Sequence, residues 1–512
     1  MVAASTPHAA AAGVKILEQG GNAVDAAAAV CFALMVTDPP MTSLGGRSQT
    51  VIALKDGRLI GIDGATEAPA GVTPLEQGAK PRAGYQVAPI PGNPAALALA
   101  VGRHGRLPLA KVLEPAIALA EEGFAVTPRI AEIWQSERAK LAANPGAALN
   151  YLKPDGSAYQ AGEKFRHPRL AKLLRNLASA GPASFYQGET AKSIAGDMAA
   201  HQGFLTAADL AGYKAEEGTL VRVRYRDYDV ISMGRHGWGN TLGQMLNILA
   251  QFSLPGAAAT PEQVELIGRT VRQALEDRPQ HIGTLRPKAE GLPLELISSL
   301  EFGRERAALI RSQLGKPVTA AGALPRADHD TTHLSVMDAE GNAVAMTTSI
   351  GPRFGSLAAT PELGFIYAHS YNMRSAPTPG ARDLTEMTPT IMLRNGRPVL
   401  AVGAAGSERI PGAILQVISY VVDRGNTLER AVSAPRIFSV GNKARISENF
   451  PPEVAARLKG LGFEIELRDP SIHQHLGIVQ AVQYNPSARE FFGTADPVYD
   501  GAAAGPARIA SR

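Results

Sequence analysis

The chain has 512 residues, of which 45% are hydrophobic and 19% charged, a composition typical of a globular protein with a large core. Its net charge of +4 is small for this length and no block of lysines and arginines is present, so the sequence does not indicate a nucleic-acid partner. The single cysteine, Cys31, excludes a disulfide within the chain, and no apolar run reaches the ~18 residues of a membrane-spanning helix.

The first five residues, Met1 to Ser5, have neither the basic stretch nor the apolar stretch of a signal peptide. We therefore expect a cytoplasmic protein, or a periplasmic one whose leader is missing from this sequence. Length alone predicts about three domains at ~150 residues each, although a single large α/β unit stays open.

The N-terminal helices have clear start and stop residues. A helix is predicted over 8–19 and ends at Gly20-Gly21, and Asn22 is positioned to cap a second, wholly apolar helix that runs to about Met35. Two short strands should follow as a hairpin, over 50–54 and 59–63.

The rest of the chain predicts helices between strands. Helices are expected over 93–103, 108–122, 168–180, 261–276, 304–315 and 410–422. Strands are expected over 220–233 (a pair), 364–368, 387–393 and 398–403. Strands early and late with helices between them favour mixed sheets covered by helices.

A further hairpin is predicted from Asp330-Thr331-Thr332-His333 onward. Apolar and polar residues alternate to Met337, a turn follows around Glu340, and an extended pattern resumes to Ser349. If the turn is centred on Glu340, Thr331 lies opposite Ser349 and the two hydroxyls share a face; a slip of register would bring Thr347 or Thr348 there instead.

Three stretches together resemble the gamma-glutamyltransferase family. They are Gly20-Gly21-Asn22-Ala23-Val24-Asp25, the Asp330–His333 segment with Asp338 and Gly341-Asn342, and Met387-Thr388-Pro389-Thr390 with the glycine loop 403–409 and Ala434-Pro435-Arg436. The resemblance implies an N-terminal-nucleophile hydrolase, which is an α+β protein with an αββα sandwich. It also implies self-cleavage between Asp330 and Thr331, so that segments 1–330 and 331–512 stay together as a heterodimer, with a dimer of heterodimers as an open further step.

Thr331 has a chemical reason to follow a cleavage site. A hydroxyl needs a base, and the free α-amine of an N-terminal threonine, with a pKa of about 7.7–8.0, is one, whereas a peptide nitrogen is not. The resemblance places Ser349 where a second family hydroxyl orients the nucleophile. It places Gly406 and Ser407 where two backbone amides stabilise the oxyanion, between a strand end and a helix start.

The predicted acyl-binding positions depart from the family. The arginine that holds a donor carboxylate falls on Ala65, and an asparagine falls on Gly351. The positions that bind the donor amine read Ser370 and Met373, and a serine pair reads Thr385-Glu386. Because a charge-assisted contact is worth about 1.5–3 kcal/mol, a free γ-glutamyl head should bind poorly.

Arg47 is our candidate for a replacement charge. It lies in a glycine turn, and we expect it to bind an acidic acyl group without an α-amine, with Arg353, Arg374 and Arg409 as competitors and a surface arginine as the plain alternative. No cofactor is expected, and the histidines show no metal-ligand spacing.

Three functions remain open from the sequence. The first is an autoprocessed N-terminal-threonine amidohydrolase or acyltransferase that acts on a small-molecule amide and has an altered acyl pocket. The second is an authentic gamma-glutamyl transpeptidase or glutathione hydrolase. The third is an unprocessed, inactive paralogue that acts as a binding protein.

Overall fold

Two antiparallel sheets lie face to face in this computed structural model, which describes residues 1–76, 80, 82–282, 293–319, 321–324, 331–375, 377–468 and 476–507. With strands labelled in chain order, the seven-stranded sheet contains β1 (Val2–Ala4), β2 (Arg47–Ala53), β3 (Leu59–Gly64), β6 (Glu216–Gly218), β9 (Thr332–Met337), β10 (Ala343–Ser349) and β18 (Ala502–Ala504). Their order is β18-β1-β9-β10-β2-β3-β6.

The second sheet has six strands in the order β17-β16-β12-β11-β8-β7. These are β7 (Leu220–Tyr225), β8 (Tyr228–Met233), β11 (Thr390–Arg394), β12 (Arg397–Ala405), β16 (Ile478–Asn485) and β17 (Glu490–Ala495). A small sheet is formed by β13 (Ile437–Val440), β14 (Lys443–Ser447) and β15 (Glu464–Arg468), and β4 (Phe124–Ala125) pairs with β5 (Lys164–Phe165).

Helices cover the outer face of each large sheet. Against the seven-stranded sheet pack α1 (Pro7–Glu18), α2 (Ala23–Thr37), α3 (Asn93–His104), α4 (Leu109–Glu122), α5 (Pro128–Ala142), α6 (Pro145–Tyr151), α7 (Pro168–Ala180), α8 (Ala183–Tyr186), α9 (Gly188–Ala200) and α10 (Ala207–Gly212). Against the six-stranded sheet pack α11 (Gly239–Leu249), α12 (Pro261–Ile282), α14 (Leu300–Gln313), α16 (Ile410–Val422), α17 (Leu428–Ser433) and α18 (Pro452–Gly460). The short helices α13 (Leu294–Ile297) and α15 (Tyr371–Ser375) bury residues in small separate clusters.

Three apolar cores give the αββα layering that the family resemblance implied. One lies between α1–α10 and the seven-stranded sheet, one between the two sheets, and one between the six-stranded sheet and its helices. The central strands of each large sheet therefore bury one face on a helix layer and the other on the opposing sheet. No helix within the described ranges is long and apolar enough to cross a membrane.

Most predicted elements lie within a few residues of their observed bounds, and two strand predictions need correction. The segment 364–368 contributes only isolated bridges, at Ile366 and Tyr367. The strand predicted from Met387 begins at Thr390, because Pro389 has no N–H for a ladder and the Met387 carbonyl accepts a hydrogen bond from Trp238.

The central hairpin has the predicted register. Thr348 pairs with Thr332 and Ala343 with Met337, which is the register of a turn centred on Glu340. Continued by one residue, it sets Ser349 beside Thr331. β9 is also flanked on its other side by β1, so the segment that follows the predicted cleavage site is an inner strand.

Two of the family-like stretches meet at the closed end of this hairpin. The Asp338 carboxylate accepts hydrogen bonds from the Ala23 N–H at the start of α2 (2.9 Å) and from the amide of Asn342 (2.6 Å). Asn22 and Asp25 form a capping box on the same helix end. These residues therefore join the first helix pair to the hairpin rather than line a reaction site.

Gly403 on β12 shows how closely the two sheets approach. A Cβ atom built there would lie 2.3 Å from the ring of His333 on β9, closer than any real contact. Because both residues are inside the sandwich, neither can move into solvent.

We therefore expect Gly403→Ala to lower the free energy of unfolding by about 1–3 kcal/mol, the usual cost of overpacking. The matched control is Gly102→Ala in α3, where nothing lies within 4 Å of the added carbon and a gain of up to about 1 kcal/mol is expected. Denaturant titration of both variants measures the difference, and equal stabilities would contradict the close approach.

Candidate active site

The hydroxyls of Thr331 and Ser349 meet at the open end of the hairpin. Thr331 Oγ1 donates a hydrogen bond to Ser349 Oγ over 3.3 Å, and the Gly351 N–H donates to the same Ser349 oxygen over 3.0 Å. Thr331 is 8% exposed and Ser349 3%, so the pair is largely shielded from water while one member keeps some access. The predicted pairing of these two side chains is confirmed.

A second polar row lies two residues deeper on the same inner face. His333 Nδ1 shares a hydrogen bond with Thr347 Oγ1 (2.9 Å), and His333 Nε2 shares one with Ser335 Oγ (3.0 Å). Burial lowers the pKa of His333 to about 3, so this ring is neutral. His333 therefore has structural partners on both nitrogens.

Arg47 lies on the next strand, in the same row of side chains as Thr331 and Ser349. It pairs directly with Ser349 in the β2–β10 register, and it is buried rather than on the surface. The β2–β3 register pairs Ser48 with Gly64, which one step further sets Arg47 beside Ala65. Arg47 is thus the neighbour of Ala65, the position at which the family resemblance led us to expect an arginine.

The guanidinium of Arg47 is held by a buried carboxylate. Its Nη1 lies 3.4 Å from Asp383 Oδ2, 3.5 Å from Thr66 Oγ1 and 3.4 Å from the His369 carbonyl, while Nε has no hydrogen-bond partner among the described residues. Asp383 also accepts from the hydroxyls of Thr66 and Ser370, each over 2.7 Å. Burial raises the pKa of Asp383, although Arg47 and these hydroxyls oppose the rise.

A histidine–carboxylate hydrogen bond lies beside Ala65. His236 Nδ1 and Asp63 Oδ2 are 2.5 Å apart, and Gln49 donates to the other Asp63 oxygen over 2.7 Å. Burial works to raise the pKa of Asp63, but the hydrogen bond and charge of His236, with the Ala65 and Gln49 donors, outweigh it and the pKa is lowered. This end of the site therefore carries an arginine–carboxylate pair and a histidine–carboxylate pair.

The predicted oxyanion loop has a strained backbone. Gly406 has a φ of 129° and Ser407 a φ of 55°, a left-handed conformation that is uncommon for a residue with a Cβ. Arg409 braces the loop, since its Nε donates to the Gly406 carbonyl over 2.7 Å. Such outliers persist where surrounding contacts fix them, and they cluster at functional sites.

The other residues predicted for the site lie around the segments described above or outside the described residues. The backbone N–H and hydroxyl of Thr385 both donate to the His236 carbonyl, at 2.9 and 3.1 Å. Burial, and then the charge of Glu386, raise the pKa of Glu408 beside Ser407. Arg353 is 8% exposed, Asp330 lies outside the described residues, and so does the side chain of Arg374.

Sequence reasoning missed Asp383 and the partnership of Asp63 with His236. Both carboxylates come from segments that pack together only in the folded chain, and no local pattern marks them. An indirect signal was present, because Arg47, if buried, requires a nearby anion. Cys31 is fully buried, and burial raises the pKa of its thiol to about 12, so this cysteine is part of the core. Among the described residues, no group of three or more His, Cys, Asp or Glu side chains could hold a metal ion.

Comparison with known sequences extends over nearly the whole chain. The family model described as gamma-glutamyltranspeptidase matches residues 9–506. The acylase ACY 1 proenzyme of Pseudomonas sp. (strain V22) is 34% identical, over 95% of this chain and 90% of the relative. The glutathione hydrolase proenzyme of Escherichia coli (strain K12) is 30% identical, over 97% of this chain and 90% of the relative.

Solved structures agree with this assignment. Cephalosporin acylase from Bacillus halodurans superposes with a TM-score of 0.88 at 29% identity, covering 98% of this chain and 95% of the other. Helicobacter pylori gamma-glutamyltranspeptidase gives a TM-score of 0.56 at 31% identity, covering 60% of this chain and 90% of that chain. With its αββα sandwich and its whole-length match, this chain belongs to the gamma-glutamyltranspeptidase family and is an amidohydrolase or acyltransferase of the N-terminal-nucleophile class.

Proposed function

We propose that Thr331 is the nucleophile of this enzyme and that it becomes active when the chain cleaves itself between Asp330 and Thr331. The observation that carries the proposal is the buried hydrogen bond between Thr331 Oγ1 and Ser349 Oγ at the start of an inner strand. Segments 1–330 and 331–512 then form one heterodimer, because β1 of the first segment pairs with β9 of the second.

The reaction follows from the groups around Thr331. The free α-amine accepts the hydroxyl proton, and Oγ1 attacks the amide carbon of the substrate. Gly406 and Ser407 donate backbone N–H groups to the oxyanion. The amine leaves with the proton, and water or a second amine releases the acyl group from Thr331, which gives hydrolysis or transfer.

The acyl group that fits best is acidic and lacks an α-amine. Arg47 supplies a guanidinium one strand from Ser349, with Nε unpartnered, while the family arginine position is Ala65 and the ammonium-binding aspartate position is Met373. A glutaryl-like or oxamate-like amide offers the carboxylate for that guanidinium. Ser370 contributes by fixing Asp383, and Arg353, Thr385 and Glu386 complete the proposed wall.

Self-cleavage is tested by intact mass and N-terminal sequencing of the purified protein. We expect two chains, the smaller beginning at Thr331, and one full-length chain for Thr331→Ala. Thr331→Ser keeps the hydroxyl and should still cleave. A wild-type chain that stays intact under all maturation conditions would contradict the proposal and favour a binding protein.

Ser349 is expected to orient the Thr331 hydroxyl. Ser349→Ala should lower kcat by about ten- to a hundredfold at unchanged KM, because a misaimed nucleophile loses the benefit of positioning. Ser349→Thr keeps the hydroxyl and serves as the matched control. Steady-state kinetics on cleaved enzyme separates this effect from maturation, and full activity of the alanine variant would exclude the role.

The acyl preference is tested with paired substrates. Wild-type enzyme should have a higher kcat/KM for glutaryl-p-nitroanilide than for the γ-glutamyl or butyryl compounds. The double variant Arg47→Gln, Asp383→Asn removes both charges together, so no lone charge stays buried. We expect kcat/KM to fall about tenfold or more for the glutaryl substrate and to change little for the butyryl one, because the variant loses one charge-assisted contact with the substrate carboxylate.

The double variant must retain self-cleavage for this comparison to be valid, and Asp383→Asn alone is the control for loss of the anion. Equal losses on both substrates would exclude Arg47 as the acyl-binding cation. A wild-type preference for the γ-glutamyl substrate would identify a glutathione hydrolase-like enzyme instead.

A further inference from the structure

A buried carboxylic acid lies behind the nucleophile, on the helix-facing side of the sheet. Asp38 follows α2 and is fully buried. Ser5 Oγ donates to Asp38 Oδ2 over 2.9 Å, and Tyr499 Oη donates to Asp38 Oδ1 over 2.9 Å. The hydroxyls of Ser5, Tyr499 and Thr332 stabilise the Asp38 carboxylate, whereas the nearby Asp500 carboxylate destabilises it.

The same serine reaches the residue next to the nucleophile. Ser5 Oγ and Thr332 Oγ1 are 2.5 Å apart, so a continuous chain of hydrogen bonds runs from Asp38 through Ser5 to Thr332. Ser5 belongs to the segment before the predicted cleavage site and Thr332 to the segment after it. The chain therefore crosses from one proposed subunit to the other.

Thr332 is the last residue that ties the nucleophile to the sheet. The β9–β10 pairing ends at Thr332 and Thr348, and Thr331 lies one residue beyond it. On the helix-facing side, Thr348 is fixed by Thr42 Oγ1 at 2.7 Å. Thr332 is fixed there by Ser5. Once the chain is cut, the direction of the Thr331 side chain depends on how firmly this final pair is held.

We propose that Asp38 is a positioning residue for the reaction, which acts through Ser5 and Thr332 to aim the Thr331 hydroxyl at Ser349 and the substrate. Asp38 touches none of the reacting atoms. The proposal rests on Thr331 as the nucleophile, which the cleavage experiment tests independently.

The protonation of Asp38 decides the direction of the hydroxyl chain. An ionised carboxylate only accepts, so Ser5 donates to Asp38 and the Thr332 hydroxyl points its proton toward Ser5 and the carboxylate. A protonated carboxyl can also donate to Ser5, which permits the reversed chain. The ionised form therefore holds Thr332 in one arrangement where the neutral form allows two.

The surroundings put this change near neutral pH. Burial raises the pKa of Asp38 to about 7, against the hydroxyl donors and with the help of Asp500. The other titratable groups on this side of the sheet are Tyr499, Asp500 and the Cys31 thiol of α2, whose pKa burial raises to about 12. The Cys31 thiol therefore does not change charge in the same pH range as Asp38.

The deciding experiment compares Asp38→Asn with wild type on fully cleaved enzyme from about pH 5.5 to about pH 8.5. Asparagine keeps the shape and cannot ionise. We expect the ratio of kcat values, wild type over variant, to rise from near one to about tenfold across that range, with KM unchanged. The α-amine base titrates in both enzymes, so it cancels in the ratio.

Two further variants keep the proposal open to refutation if Asp38→Asn matures poorly. Thr332→Val removes only the hydroxyl, and it should lower kcat at high pH as Asp38→Asn does. Tyr499→Phe removes a donor to Asp38 without touching Ser5, so it should move the rise in kcat to higher pH and leave the plateau unchanged.

Thermal unfolding provides the sign of the linkage. Because the folded-state pKa of Asp38 is raised, its contribution to the free energy of unfolding is fully present below the ordinary Asp pKa of about 3.9 and is lost as the pH rises through about 7. The Tm of Asp38→Asn minus the Tm of wild type should therefore increase as the pH rises. A kcat ratio that does not change with pH, or a loss confined to KM, would overturn the positioning role.

Discussion

The enzyme depends on one constraint: the strand that begins at the proposed nucleophile is an inner strand of the larger sheet. β9 pairs on one side with β1, from the start of the chain, and on the other with β10. Cleavage before Thr331 would therefore create a new N-terminus while β9 stays hydrogen-bonded to both neighbouring strands. The backbone ladder on both sides holds the new N-terminus in place, which is what a catalytic α-amine requires.

The same strand geometry organises the site electrostatics. Side chains on the inner face recur every second residue, so the register that sets Ser349 beside Thr331 also sets Arg47 beside Ser349 and Ala65 beside Arg47. Arg47 therefore places a cation in the same row as the proposed nucleophile. The cost is a buried charge, and Asp383 with its hydroxyl donors offsets that cost.

The two faces of β9 carry residues with different roles. Its inner face carries Thr331 and the neutral His333, packed closely against Gly403 of the opposing sheet. Its helix-facing side carries Thr332, tied through Ser5 to a carboxyl that lacks a cation. A group whose burial opposes folding at neutral pH is a common mark of a functional site, because an apolar or paired residue there would be more stable.

The hairpin, the capped apolar helix and the family could be predicted from the sequence, because each depends on local periodicity, turn chemistry or a motif that reads along the chain. The sequence leaves alternatives for the register of the hairpin, and the pairing of Thr332 with Thr348 resolves it. The sequence also marked Arg47 as a candidate cation for the acyl pocket. Only the tertiary structure decided the partners of these residues. Asp383, the Asp63–His236 pair and the chain from Asp38 to Thr332 join segments that are far apart in sequence, and their energies come from burial, which no local pattern records.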